Sequence, residues 1–237
     1  MGFKKIVWIL TTIYPITLVL SILHINGLIE YFSSIYSIPL VFIILYFLNS
    51  LLEMGTNTTV KFLIVSITIS YIFEFIGVHY GIPFGKYYYT EGLGPKILGV
   101  PIFIPLLWSS LGFYSLAATN SYLLASLAMV IIDLTFDPLL SQKVKLWIWQ
   151  SPGQYFGVPI TNFIGWFIVS AVFFYSFYIL SKYKASQLKK TKPFSSIFYL
   201  EYNVSWGIID IIKGLFVVGI VGIVLSILLI IIIASLN

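Results

Sequence analysis

Apolar residues fall into seven long runs along this chain: 6–23, 35–52, 60–80, 101–118, 122–136, 162–181 and 214–234. About twenty apolar residues cross the hydrocarbon core of a bilayer. The pattern therefore predicts an all-α, polytopic transmembrane helix bundle of about seven spans, the fifth being the shortest. Open sheet edges are excluded from lipid, and the ten-residue alternation of a membrane barrel is missing, so no strand is expected. A lysine-rich tract at 182–193 separates the sixth run from 194–212, where aromatic and polar residues mix. That last segment reads as an interfacial helix.

Composition sharpens this picture. Only 9% of the 237 residues are charged and 59% are hydrophobic, against about 25% charged in soluble domains. So few charges cannot wet the surface, and the solvent is lipid. Residues 1–237 read as a single integral membrane domain, with 182–193 a cytoplasmic basic loop. With no cysteine, neither a disulfide framework nor a thiolate metal site exists. The 13 basic residues are all lysine and gather near run ends. No basic stripe alternates with aromatics, which excludes a nucleic-acid partner. The N-terminus resembles a signal peptide, but it lacks a small-residue cleavage site and its apolar run is long enough to span.

With a cytoplasmic N-terminus, one side collects Lys4, Lys5, Lys61, Lys182, Lys184, Lys189, Lys190, Lys192 and Lys213. The other side holds Lys86, Lys96, Lys143 and Lys145. The lysine bias favours this orientation in the cell membrane.

Two stretches share an internal pattern. In the first, Glu74 lies in an apolar run, a loop dense in Gly, Pro and Tyr follows, and then come Gly99-Val100-Pro101-Ile102 and Trp108. In the second, Asp133 and Asp137 end an apolar run, an aromatic loop follows, and Gly157-Val158-Pro159-Ile160 and Trp166 recur at an offset of 58 residues. The predicted topology puts both loops on one side. That is a parallel repeat, suited to two halves around a shared site.

Glu30, Glu53, Glu91 and Glu201 fall in loops or at interfaces and Asp210 just before the last run, and all five are expected to be solvated. Glu74, Asp133 and Asp137 differ. A carboxylate near the middle of a membrane helix costs about 3 kcal/mol, so it faces a cavity or a partner. The plainer alternative is a helix–helix hydrogen bond. Asp133 and Asp137 are four residues apart, share one helical face, and can divide the roles of proton donor and carboxylate. His79 lies near the helix end that carries Glu74 and suits either an interfacial hydrogen bond or a proton relay. The other histidine, His24, is distant in sequence, so a histidine metal site is not expected. An oxygen-rich Mg²⁺ site on the three acids stays open, although the chain has no DDxxD cluster and no arginine to clamp a diphosphate.

Tyr87, Trp108, Trp149, Tyr155 and Trp166 are either membrane belts or the walls of a site. Aromatic faces stabilise cations by about 2 kcal/mol once water is excluded. Acids beside such walls suit protonation of an unactivated alkene to a tertiary carbocation, followed by capture with water or loss of a proton. That chemistry needs no cofactor. GxGxxG, P-loop, GxSxG and HExxH motifs are all missing.

The residues 70–170 resemble an integral-membrane carotenoid biosynthesis family that includes the carotenoid 1',2'-hydratases and the bisanhydrobacterioruberin hydratases. The resemblance rests on Glu74-Phe75-Ile76-Gly77, Gly81-Ile82-Pro83-Phe84-Gly85-Lys86-Tyr87, Gly99-Val100-Pro101, Trp108, Asp133, Asp137-Pro138, Trp147-Ile148-Trp149, Gly153, Tyr155-Phe156-Gly157-Val158-Pro159 and Asn162-Phe163-x-Gly165-Trp166. It implies hydration of the terminal double bond of an acyclic carotenoid or related isoprenoid, and association with other enzymes of that pathway. Glu74 or the Asp133/Asp137 pair would supply the proton, the other carboxylate would orient water, Asn162 would hold that water, and His79 with the rings would meet the substrate. End-group cyclisation shares the cation and differs in what quenches it. A non-catalytic isoprenoid carrier or small ion-coupled transporter would use buried acids equally well. A retinal photoreceptor, suggested by Lys213, is disfavoured because that lysine sits at a helix mouth.

Overall fold

The computed structural model describes residues 2–24 and 28–236 and, within them, the side chains outside 21–38 and 189–193. The expectations for the side chains of His24, Glu30, Lys189, Lys190 and Lys192 lie outside the described residues.

Each apolar run lies within a helix, allowing for shifts of a residue or two at its ends. In chain order these are α1 Phe3–His24, α2 Leu28–Met54, α3 Thr56–Tyr80, α4 Phe103–Thr119, α5 Tyr122–Asp137 and α6 Ile160–Ser181, then α7 Lys192–Ile212 and α8 Phe216–Ser235. Among the described residues, five segments are long and apolar enough to cross a membrane: α1, α3, α5 with its extension to Lys143, α6 and α8. Their outer faces expose Leu20, Ile64, Ile164 and Ile231, a surface that only lipid satisfies. The short fifth run gains length from a π-helical turn, Pro138–Lys143, that starts at the proline after Asp137.

α3, α4, α5 and α6 form a ring in which α3 and α5 each touch both α4 and α6. α2 lies on α3 and α4, α7 on α1, α4, α5 and α8, and α8 also on α5. Lipid gives helices no hydrophobic reason to associate, so small residues and polar contacts hold them together. Ser109 of α4 bonds Tyr46 of α2 at 2.8 Å and Ser66 of α3 at 2.7 Å. A Cβ on Gly219 of α8 would stand 2.3 Å from the carbonyl oxygen of Gly207 of α7, so the two backbones touch directly.

Two expectations are corrected. First, 194–212 is not a helix set apart from the others: it packs against α1, α4, α5 and α8. α7 is part of the bundle, because Ser195, Asn203, Ser205 and Asp210 turn inward. Its full length carries Lys213 to the rim of the cavity that Lys143 also lines, so these two lysines share a side. Second, strands do occur, in the loops outside the helices. β1 Tyr87–Tyr89 pairs antiparallel with β4 Trp147–Trp149, and β2 Lys96–Ile97 pairs with β3 Val100–Pro101. The β1–β4 ribbon joins the loops of the two repeated units, with Tyr87 opposite Trp149 and Tyr89 opposite Trp147.

The first loop is anchored by Phe84, wedged between α3 and α6. A Cβ on Gly77 would lie 2.7 Å from one edge of its ring, and a Cβ on Gly165 would lie 2.6 Å from another. Gly165→Ala overpacks this contact and is expected to destabilise the protein by about 1–3 kcal/mol, read as a lowered midpoint of thermal unfolding in detergent. Unchanged stability would show that the ring is free to move.

Candidate functional site

Side chains alternate across a strand, so Tyr87, Tyr89, Trp147 and Trp149 project from one face of the ribbon and Tyr88 and Ile148 from the other. The first face closes over the carboxylates. The Tyr87 and Tyr89 hydroxyls both donate to Oε2 of Glu74, the second at 2.8 Å, and Nε1 of Trp108 donates to Oε1 at 2.8 Å. Burial, and after it the charge of Glu74, pushes the Tyr87 and Tyr89 hydroxyls well above the ordinary phenol range. Both therefore stay protonated and keep donating.

The second unit repeats this arrangement with indoles. Nε1 of Trp147 and of Trp149 donate to Oδ1 of Asp137 at 2.8 and 2.9 Å. One amide bridges the aspartates: Nδ2 of Asn162 donates to Oδ2 of Asp133 at 2.6 Å and to Oδ2 of Asp137 at 2.7 Å. Each acid-bearing helix thus receives donors from its own half of the ribbon. Between the halves, Trp108 and Trp166 stack with centroids 4.1 Å apart and planes inclined by 27°.

Glu74, Asp133, Asp137 and Asn162 line one cavity of about 590 Å³, together with Tyr87, Trp108, Trp149 and Trp166. Residues of α7, namely Tyr202, Trp206 and Ile209, close another wall, and the exposed Lys143 and Lys213 stand at the rim. The volume falls in the usual range for small-molecule sites. Glu74 and Asp137 each accept three hydrogen bonds, whereas Asp133 accepts one.

Two residues expected at the site lie elsewhere. His79 is exposed, bonds the Phe75 carbonyl oxygen through Nδ1 at 2.9 Å and stacks on the Phe75 ring. Its position one turn beyond Glu74 turns it away from the cavity, and no relay contact joins the two. Tyr155 packs between Phe156 and Phe163 outside the lining. Asn162 spends its amide hydrogens on the aspartates, which leaves its oxygen to hold a water. Among the described residues no three His, Asp or Glu side chains converge as a metal cluster.

The expectation of solvated acids also needs correction. Glu91 is exposed and pairs with Lys96, but Glu53 is half-buried, pairs with Lys4 at 2.9 Å and accepts from Nε1 of Trp8 at 3.1 Å. Asp210 is wholly buried. Reading it as a terminal, wet residue overlooked its spacing from Asn203 and Trp206, which puts all three on adjoining turns of α7.

These features define a polytopic helical membrane protein with carboxylates and aromatic rings around an internal cavity. The chain belongs to the carotenoid biosynthesis protein family, whose family model matches residues 32–229. It is 36% identical over 123 residues to a bisanhydrobacterioruberin hydratase of Haloarcula japonica, a match covering 46% of this chain and 41% of that relative. The matched region thus spans about two fifths of the relative's length. No solved structure matches.

Proposed function

We propose that the protein is a carotenoid-modifying enzyme that adds water to the terminal double bond of an acyclic carotenoid or similar isoprenoid. The observation that carries this reading is the shared cavity, where three buried carboxyl groups face stacked aromatic rings. The name of the Haloarcula relative supports hydration over the alternatives.

The unequal hydrogen bonding divides the roles. Asp133, with one donor, gives its proton to the terminal alkene carbon. A C–H bond forms, the π bond breaks, and a tertiary cation remains. Glu74 and Asp137, each held by three donors, stay acceptors and stabilise that cation with the Trp108 and Trp166 faces. Water held by the Asn162 oxygen bonds to the cation, and the proton it sheds returns to Asp133. Alkene and water become a tertiary alcohol and the enzyme is unchanged. No redox cofactor enters this balance.

The reading extends to the chain as a whole: one integral membrane domain in the cell membrane, N-terminus cytoplasmic, with 182–193 as a cytoplasmic loop. With Lys213 on the ribbon side the lysine bias is eight against five, still of the same sign.

Co-expression with an acyclic carotenoid pathway tests the function. Extracted pigment should gain the mass of one water. Unchanged mass with a new ring would assign cyclisation, and unchanged pigment would remove the enzymatic reading in favour of a carrier.

A further inference from the structure

Among the described residues, α7 carries four with buried, unpartnered polar atoms, Glu201, Asn203, Trp206 and Asp210, the last three on adjoining turns. Asp210 is 0% exposed, and neither of its carboxyl oxygens has a hydrogen-bond partner. One turn earlier, the buried Nε1 of Trp206, beside the Tyr202 hydroxyl, completes no hydrogen bond, nor does Oδ1 of Asn203 two turns back. The loop before α6 adds Tyr155, whose hydroxyl is buried without a partner. An unsatisfied buried polar group costs about 1–3 kcal/mol, and an unpaired acid inside a membrane bundle lines an aqueous path or a partner site. Asn203, Trp206 and Asp210 stand at i, i+3 and i+7 of α7 and so share one face of the helix.

Their chemistry specifies the ligand. Asp210 and Asn203 offer acceptors, while Tyr155 and Trp206 offer donors. An internal water needs two to four polar partners of both kinds, and polar groups too far apart to bond directly are commonly joined by one. The place is as telling. The ring of Trp206 and the adjacent Ile209 form the cavity wall. Burial and then the charges of Asp210 and Asp133 push the Tyr155 hydroxyl up to about 12, so this phenol lies within electrostatic range of both acids.

We propose that Asp210, Tyr155, Trp206 and Asn203 form a water-holding station behind the α7 wall, which supplies the water added in the cavity beside Asp133. This rests on the hydratase reading for its purpose, though not for its existence. Asp210 accepts a hydrogen bond from the stored water, Tyr155 hands the molecule on towards Asp133, and the Trp206 ring is the partition it passes.

Two measurements test it on the full-length protein in lipid nanodiscs. The first is independent of activity: X-ray-generated hydroxyl radicals label side chains beside bound water. Trp206 should be labelled in the native protein and several-fold less in Asp210→Leu. Equal labelling in both would overturn the station. The second follows an acyclic carotenoid in D₂O. Tyr155→Phe, which alters one atom and keeps the ring, and Asp210→Asn should each lower hydration at least tenfold while deuterium still washes into the recovered end group, since protonation by Asp133 persists. Full hydration in both variants, or parallel loss of hydration and exchange, would overturn water supply. If native protein neither hydrates nor exchanges, the hydratase reading fails, and the labelling result alone decides whether the station exists.

Discussion

On the hydratase reading, Asp133→Asn is expected to lower hydration of the end group by about 10²–10⁴-fold, the usual contribution of a general acid, and to leave the fold intact. The asymmetry follows from the hydrogen bonds. Asp133 accepts only from Asn162, at 2.6 Å, and an asparagine at this position can offer its oxygen to the same N–H. What is lost is the acid itself, because a carboxamide has no proton to give an alkene. Pigment analysis of cells expressing the variant, with thermal unfolding of the purified protein, reads both effects. A variant that still hydrates at the native rate would transfer the acid role to Glu74 or Asp137.

Glu74→Gln should do the opposite kind of damage, losing stability and activity together. The glutamate accepts from two phenols and an indole, whereas a carboxamide presents one oxygen and one NH₂. If its oxygen serves Tyr87 and Tyr89, its NH₂ meets Nε1 of Trp108, donor against donor. One buried donor left unpaired costs about 1–3 kcal/mol, and displacement of Trp108 loosens its stack on Trp166. Activity should fall at least about 10²-fold, because catalysis is sensitive to misplacement on the ångström scale. The double variant Glu74→Gln/Trp108→Phe, which removes the conflicting N–H, should recover part of the lost stability. If it is destabilised by the full sum of the single changes, the donor conflict is not the cause.

Much of this architecture was legible in the sequence, because lipid leaves few choices. Length and continuity of the apolar runs located the helices, and the cost of a charge in hydrocarbon singled out Glu74, Asp133 and Asp137. All three line the cavity, as do Tyr87, Trp108, Trp149, Asn162 and Trp166. α7 was misread because mixed polarity is the same string whether its polar face meets headgroups or the bundle interior. Asp210 was lost with it. The ribbon was invisible because three-residue strands are shorter than any periodicity can resolve, although Tyr-Tyr-Tyr and Trp-Ile-Trp are the sequences of its strands. His79 follows Glu74 by five residues but turns outward, because one residue of helix rotates a side chain by about 100°, and Tyr155, in the loop before α6, stands outside the cavity lining.

The alternation of the ribbon also governs how the chain can change length. Sliding the first strand by one position would send Tyr87 and Tyr89 outward and present Tyr88 to the acids, and sliding the second would send Trp147 and Trp149 outward and present Ile148. A single residue inserted between Gly81 and Tyr87 would strip Glu74 of its ribbon donors, and one between Lys143 and Trp147 would strip Asp137 of its own, without touching a helix. Tolerated insertions there come in pairs.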